Sequence, residues 1–596
     1  MELLDLDGVI EKGVFEIPSY QRGYAWQMKQ LKDFWSDLEH VSKLENKFHY
    51  MHSLTLRKSD DDFEDIDFEI IDGQQRLATS LILLGLLAKI TKHKDPKYDS
   101  MNLEPILSYK YYGLSEAFRA IMEEEKDLER FQTSFYAKNL IDAHAFFQEK
   151  ISDTPVGTLE KMFDALIKKM LFSVVELNDN RIDPFSSFET INNRGKDLST
   201  LELLKNRLHF VAHKICDEED LENLQQEIND TYTRIYHDLR FFEDDHLRDF
   251  LKHFVAYYYG EKRDFKERLL NTAFDAHKKY DDLYDEYEKI NDLLLHLSYS
   301  SKVWYFLHTL DDEELRIEIT PKMRGLLDKM RRLNALSENA FLPLLLSLLT
   351  IQLAVRSGSE RHYTTKELEG LLEYLERFGF LVYGVAGKNT AKKEWIELAF
   401  MAFKAYREGE GNITIEYLPT LEKNFFKGEH SALELLEESI HSKKNTEKWY
   451  QWGKALNYLL YEYELYHNPE TTLNFDSSLE SIEHILPQKP DQGYSAKEKD
   501  WAKNPHIVHA LGNLLLISKN ANSSLNNKPF DEKRKAYLKG SYSEKEVAKN
   551  ASFGVVQIKE RSEKLLDFLI ARYRIAELVG ESAIKAFKNA LLKDIK

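Results

Sequence analysis

The sequence predicts a multidomain chain, predominantly α, with α/β parts at its ends. Three observations carry that expectation. Up to about residue 210, short strands alternate with helices. From there to about 440, Leu, Tyr and Phe recur at three- and four-residue steps without a strand-like interruption. Beyond about 442, two short apolar strands lead into an Asn-rich stretch and a basic helix. A chain of 596 residues holds roughly three to four domains. The changes of texture divide it into 1–215, 216–441 and 442–596.

Taken in order, Phe15-Glu16-Ile17 reads as a short strand stopped by Pro18, and Gln27 to Leu44 as an amphipathic helix. Met51 to Leu56 and Phe68 to Ile71 read as strands, the second ending at Asp72-Gly73. Leu77 to Ile90 is a strongly apolar helix, and Leu171 to Leu177 a buried-strand candidate. In the middle, the run Asp217 to Asp220 reads as a solvated helix face, and Tyr257-Tyr258-Tyr259 as packing. The most apolar stretch, Phe341 to Val355, is interrupted by Pro343, Ser347, Thr350 and Gln352. It falls short of the about 20 apolar residues a membrane span needs, so a buried helix is expected. At the C-terminal end the pattern predicts a helix over Trp449 to Tyr466, strands around Leu473 to Ser481 and Leu511 to Ile517, and a basic helix over Asp531 to Lys539.

Composition narrows the function classes. Acidic residues number 101 against 82 basic ones, a net charge of −19, so any nucleic-acid contact must be a local patch. One patch qualifies: between 501 and 540, Lys503, Lys519, Lys528, Lys533, Arg534, Lys535 and Lys539 face only Asp531 and Glu532. The lone Cys216 excludes an internal disulfide and a Cys-rich zinc site. With no basic, apolar leader after Met1, a cytoplasmic protein is expected.

Two constellations carry chemistry. Near the C-terminus, Glu483-His484 ends a strand-like segment before Pro487; Asn513 opens the next strand, and Asn522 follows near a helix start. Phosphodiester hydrolysis needs a base to activate water and a hard cation on the phosphate oxygens. His484 titrates near neutrality, and Glu483 and Asn522 supply the oxygen ligands that Mg²⁺ prefers. His506 and His509, between the motifs, read as surface or supporting residues. Near the N-terminus, Ile17-Pro18-Ser19-Tyr20-Gln21-Arg22-Gly23-Tyr24-Ala25-Trp26 precedes Ile70-Ile71-Asp72-Gly73-Gln74-Gln75-Arg76-Leu77. A strand ending in an acid and a glycine, then a helix opening with Gln-Gln-Arg, suits a phosphate at the helix N-terminus beside Arg76. It suits equally a tight turn with a structural arginine, and no Walker motif occurs.

With Leu511-Gly512-Asn513-Leu514 following His-x-x-Pro, the C-terminal set resembles the HNH, or ββα-metal, nuclease pattern. Specifically it resembles the nuclease domain of GmrSD-type modification-dependent restriction enzymes. The N-terminal boxes resemble the ParB/sulfiredoxin-like domain of the same family, as does Phe188 to Gly195 with Leu203-Leu204-Lys205-Asn206. The resemblance implies His484 as general base, Asn513 as the asparagine fixing the catalytic loop, and Glu483 and Asn522 as ligands of Mg²⁺ or Mn²⁺. It implies NTP, ATP or GTP, held by Arg22, Asp72, Gly73, Gln74, Gln75 and Arg76, with Asp72 and Arg76 acting in its hydrolysis. Asn193, Arg194 and Lys205 become candidates for a nucleotide or DNA surface, against a plain helix-joining turn at Gly195. Tyr20, Gln21, Tyr24 and Trp26 either pack around the first turn or form a pocket reading modified DNA. GmrSD-like and BrxU-like relatives act on modified cytosines and SspE-like relatives sense phosphorothioates; the sequence does not choose between them. His52 stands where a small residue is expected.

Two functions follow as expectations. The first is a nucleotide-regulated, modification-dependent DNA endonuclease of bacterial anti-phage defence, with a homo-oligomer among the expected partners. The second is a non-cutting, nucleotide-regulated DNA-binding regulator.

Overall fold

In a computed structural model, the described residues are all but 1, 19–20, 22, 60–65, 93–95, 99, 111–112, 178–198, 262–263, 277, 281, 314, 356–362, 388–389, 411–433, 435–445, 474–479 and 491. The chain divides into two compact units, Met1–Tyr305 and Phe306–Lys596. The helices of the 216–441 stretch fall in both. The structure is mostly helical, as expected.

The first unit is built on a six-stranded mixed sheet: β1 (Glu2–Asp5), β2 (Phe15–Ile17), β3 (His49–Lys58), β4 (Phe68–Asp72), β5 (Leu107–Tyr109) and β6 (Met170–Glu176), in the spatial order β1-β6-β3-β4-β2-β5. β3 pairs parallel with β6 and antiparallel with β4, and β2 lies parallel between β4 and β5. The helix Gln74–Thr91 buries Leu77, Leu81, Leu84 and Leu87 together with the intervening Ala78, Ile82 and Leu83. It is apolar all round because it lies inside the unit rather than on its surface. Each such leucine or isoleucine contributes about 1.5–3 kcal/mol of burial, so this helix fixes where β4 ends.

The four strands and two helices expected in this region form within a few residues of their predicted limits. β1 and β5 were not expected. β5 has three residues, and β1 carries Leu3 and Leu4 between acids, so neither shows a period.

In the second unit, Leu342–Ala354 is a buried helix, and among the described residues no helix is long and apolar enough to cross a membrane. The single helix expected over Trp449 to Tyr466 is instead a 3-10 turn, Lys448–Trp452, followed by the helix Lys454–His467. Gly453 separates them with φ 52° and ψ −115°, a backbone that side chains strain to adopt. β7 (Glu480–His484) and β8 (Leu514–Ser518) form an antiparallel pair, and the helix Lys519–Leu525 follows β8 directly. Leu511–Asn513, expected as strand, is a 3-10 turn leading into β8.

Candidate active site

β7 pairs with β8 in a register that sets Glu483 opposite Leu515 and His484 opposite Leu514. Side chains alternate along a strand, so the adjacent Glu483 and His484 leave β7 on opposite faces. His484 is buried, 7% exposed. Its Nε2 lies 3.1 Å from His509 Nδ1, and the Gln488 amide nitrogen is 3.3 Å from its Nδ1. The Tyr450 ring is 4.8 Å from the His484 ring and stacks on His509 at an interplanar angle of 20°. Burial, then the neighbouring His509 and Lys533, push the His484 pKa down to about 3. The ring is therefore neutral at pH 7, with one of its two nitrogens unprotonated.

The Leu-Gly-Asn-Leu motif holds the turn after His484. Asn513, fully buried, accepts from Leu486 N at 2.8 Å through Oδ1. Its Nδ2 donates to Leu486 O at 2.9 Å and to Val508 O at 2.7 Å. One amide thus fixes both the segment after His484 and the segment before His509. Gly512 is required by close approach. A Cβ there would sit 2.0 Å from Ile558 O and 2.6 Å from Ser562 N, in the helix Val555–Arg572. Arg561 of that helix donates to Gly512 O and Leu514 O.

Glu483 behaves differently from the expectation of a metal-binding acid. Its Oε1 accepts from Lys533 Nζ at 2.5 Å and from the Tyr537 hydroxyl at 3.1 Å. Lys533, with no side-chain exposure, also donates to His484 O at 2.9 Å and Ile485 O at 3.3 Å. Burial raises the Glu483 pKa against the opposing pull of Lys533, and burial lowers that of Lys533 against the pull of Glu483. The ammonium already on that carboxylate oxygen repels a second cation from it. Asn522 donates to Ser481 Oγ at 2.7 Å and Ile482 O at 3.3 Å. Among the described residues no group of three or more His, Cys, Asp or Glu could hold a metal. As arranged, Glu483 and Asn522 do not fit a Mg²⁺ cage.

The basic patch is also smaller than its sequence. Lys533 is inside, and Arg534 is partly buried, donating to Ala548 O. Lys503, Lys519, Lys528, Lys535 and Lys539 remain exposed.

In the N-terminal unit the two boxes are laced together. Gln75 Oε1 accepts from Ala25 N at 2.8 Å and its Nε2 donates to Gly23 O at 2.9 Å. Gln21 donates to the carbonyls of Ile70 and Ile71. Tyr24, fully buried, meets Thr79 Oγ1 at 2.7 Å. Gln21, Tyr24, Gln74 and Gln75 are all buried, so the modification-reading surface suggested for Gln21 and Tyr24 is corrected: their side chains pack. Trp26 is part-exposed, 6.0 Å from the Phe34 ring. Tyr20, Arg22, Asn193 and Arg194 lie outside the described residues. Lys205, expected on a surface, is buried with its ammonium 5.3 Å from the centre of the Tyr232 ring, and burial pushes its pKa down to about 7.

What remains near solvent is Asp72, Arg76 and Ser53. Arg76 donates to Asp72 Oδ2 at 3.1 Å and Ser53 O at 2.6 Å, and Ser53 Oγ donates to the same carboxylate. Gly73, at φ +104°, turns the chain into the helix; a Cβ on it would lie 3.0 Å from Ser53 O. His52, beside Ser53 at a β-bulge, has φ +64°. That left-handed backbone explains why a small residue is expected there.

Residues 3–209 match the model of the GmrSD restriction endonuclease N-terminal domain. Residues 436–568 match that of the C-terminal domain of the same enzymes, so together the two cover more than half of the chain. The chain belongs to the GmrSD restriction endonuclease family. Both constellations lie inside the matched segments, one in each, and the family assigns the chain to the restriction endonucleases, with DNA as substrate. No curated protein matches the chain. Sequence reasoning missed Lys533, Tyr537, Gln488 and Tyr450 at the GmrSD C-terminal site and took His509 as a supporting residue. Lys533 was counted as surface charge; its place on the buried stripe of a basic helix shows only when Phe530, Lys533 and Tyr537 are seen at helical spacing on one face.

Proposed function

We propose that this GmrSD-family endonuclease cuts DNA with an HNH-type, ββα centre around His484, and that the Asp72–Arg76 box binds NTP and regulates the cut. The supporting observation is the Asn513 amide, which holds the turn leaving a strand whose last residue is a neutral histidine. In the reaction, the His484 ring takes a proton from water as its oxygen attacks phosphorus, and the bond from phosphorus to the leaving oxygen breaks. The exposed lysines of 503–539 hold the DNA backbone beside it. In the N-terminal unit, Arg76 Nε is buried without an acceptor among the described residues, a donor that a phosphate would satisfy. The first N–H groups of the helix Gln74–Thr91 lie alongside. Modified DNA is the proposed trigger.

Wild type and His484→Ala are incubated with plain, glucosylated, hydroxymethylated and phosphorothioate DNA, with Mg²⁺, Mn²⁺ or EDTA, with and without ATP or GTP. Cleavage that needs His484, on a modified substrate and under nucleotide control, is the expected result. Cleavage by His484→Ala at the wild-type rate overturns the assignment of the base. Nucleotide-dependent binding without cleavage supports the regulator instead, a reading favoured by the engagement of Glu483 with Lys533.

A further inference from the structure

We propose that His509 is a positioning residue for the base, holding His484 in the one tautomer that can accept a proton from water. The proposal rests on the reading of His484 as base. A single proton lies between His484 Nε2 and His509 Nδ1, which are 3.1 Å apart. If His509 were the donor, His484 would carry its own proton on Nδ1 and have no free lone pair. If His484 Nε2–H donates, Nδ1 keeps its lone pair. The Gln488 amide nitrogen, a donor only, stands 3.3 Å from Nδ1 and 3.4 Å from Nε2 and so favours neither arrangement; the second follows from the reading of His484 as base.

His509 is itself held for this task. Tyr450 stacks on its ring, and Asn513 anchors the carbonyl of the preceding residue, Val508. Its own half-buried environment disfavours the protonated ring, which leaves one of its nitrogens able to accept. When His484 Nδ1 takes the proton from water, the resulting imidazolium still donates Nε2–H to a neutral partner. This is the orienting part that a third group plays beside a catalytic histidine. His509 does not touch the reacting atoms.

Two substitutions separate hydrogen bonding from packing. His509→Phe keeps a ring against Tyr450 and deletes the acceptor; His509→Asn keeps a side-chain oxygen near the place of Nδ1. His509→Phe is expected to lower kcat for DNA cleavage by about 100-fold with KM within twofold, and His509→Asn to recover most of that loss. In protein labelled with ¹⁵N-histidine, the wild type is expected to show His484 protonated on Nε2, His509→Asn to keep that state and His509→Phe to lose it. Wild-type kcat in His509→Phe, equal defects in Phe and Asn, or His484 protonated on Nδ1 in the wild type would each overturn the proposal. If His484→Ala cuts as wild type does, the base assignment has failed instead; the NMR states still decide whether His509 sets the tautomer.

Discussion

Replacing Lys533 by Met tests what the buried pair behind His484 does. The substitution removes an ammonium that has no side-chain exposure and bonds Glu483, His484 O and Ile485 O. Glu483, 4% exposed, is left with the Tyr537 hydroxyl and the backbone N–H of His484. Breaking one partner of such a pair costs about 3–5 kcal/mol, a fall of roughly 5–15 °C in the unfolding midpoint of the second unit. Both partners have pKa values displaced toward neutrality, Glu483 upward and Lys533 downward, with burial the leading cause in each. The pair therefore recovers less from mutual attraction than it loses by leaving water. Removing both charges should then hurt less than removing one: Glu483→Leu with Lys533→Met should be more stable than Lys533→Met alone.

The pH sign follows. A carboxyl whose folded pKa lies above the ordinary 4.5 binds its proton more tightly when folded, so stability is gained as pH falls into that window. Without Lys533 the Glu483 value rises further, so the deficit of Lys533→Met should be smaller at pH 5 than at pH 8. Denaturant titrations of wild type, both singles and the double at the two pH values make the measurement. Additive losses in the double, or a deficit that does not change with pH, would refute the reasoning.

Gly512→Ala forces a Cβ to within 2.0 Å of Ile558 O, a backbone atom that cannot swing away. It should lower the unfolding midpoint and uncouple Asn513 from the turn, with cleavage lost alongside. Retention of wild-type stability would show that the helix Val555–Arg572 can withdraw freely. In the N-terminal unit, Gln75→Ala should destabilise by about 2–4 kcal/mol, since two buried backbone groups lose their partners. Arg76→Ala should leave the midpoint nearly unchanged and suppress NTP turnover. Equal thermal defects in the two variants, or unaltered turnover in Arg76→Ala, would count against that division.

Much of the architecture was legible because periodicity reports burial. The helix Gln74–Thr91 is largely apolar from Leu77 to Ala88 and is buried there at every position but Leu86; β2, β3, β4 and β6 show strand-like runs bounded by Pro18, Lys58 and Gly73. The positions of His484 and Asn513, at the end of one strand and just before the next, were legible from the motif, while the roles given to them came from the family resemblance. The sense of individual side chains was not. Glu483 and His484 are neighbours in sequence and therefore diverge in a strand, which removes Glu483 from the face of the base. Charge counting placed Lys533 on a surface patch although it sits at i+3 from Phe530 and i−4 from Tyr537, the buried stripe of its helix. Gln75, read as a ligand contact in the Asp-Gly-Gln-Gln-Arg box, bonds backbone instead, since a buried backbone group without a partner costs more than a surface glutamine gains.

The two boxes solve the same problem in the same way, and that likeness says which residues to test for function. In each, a glycine admits a backbone approach that any side chain would block: Gly73 against Ser53 O, Gly512 against Ile558 O. In each, one buried amide makes more than one bond to backbone elsewhere in the chain, Gln75 to Gly23 and Ala25, Asn513 to Leu486 and Val508. What these locks leave able to do chemistry is Arg76, beside Asp72, in one unit and the buried His484 ring in the other. Substituting a lock is expected to remove fold and activity together; substituting Arg76 or His484 is expected to remove activity and spare the fold. The residues whose loss separates the two readouts are therefore Arg76, His484 and, through its bond to His484, His509.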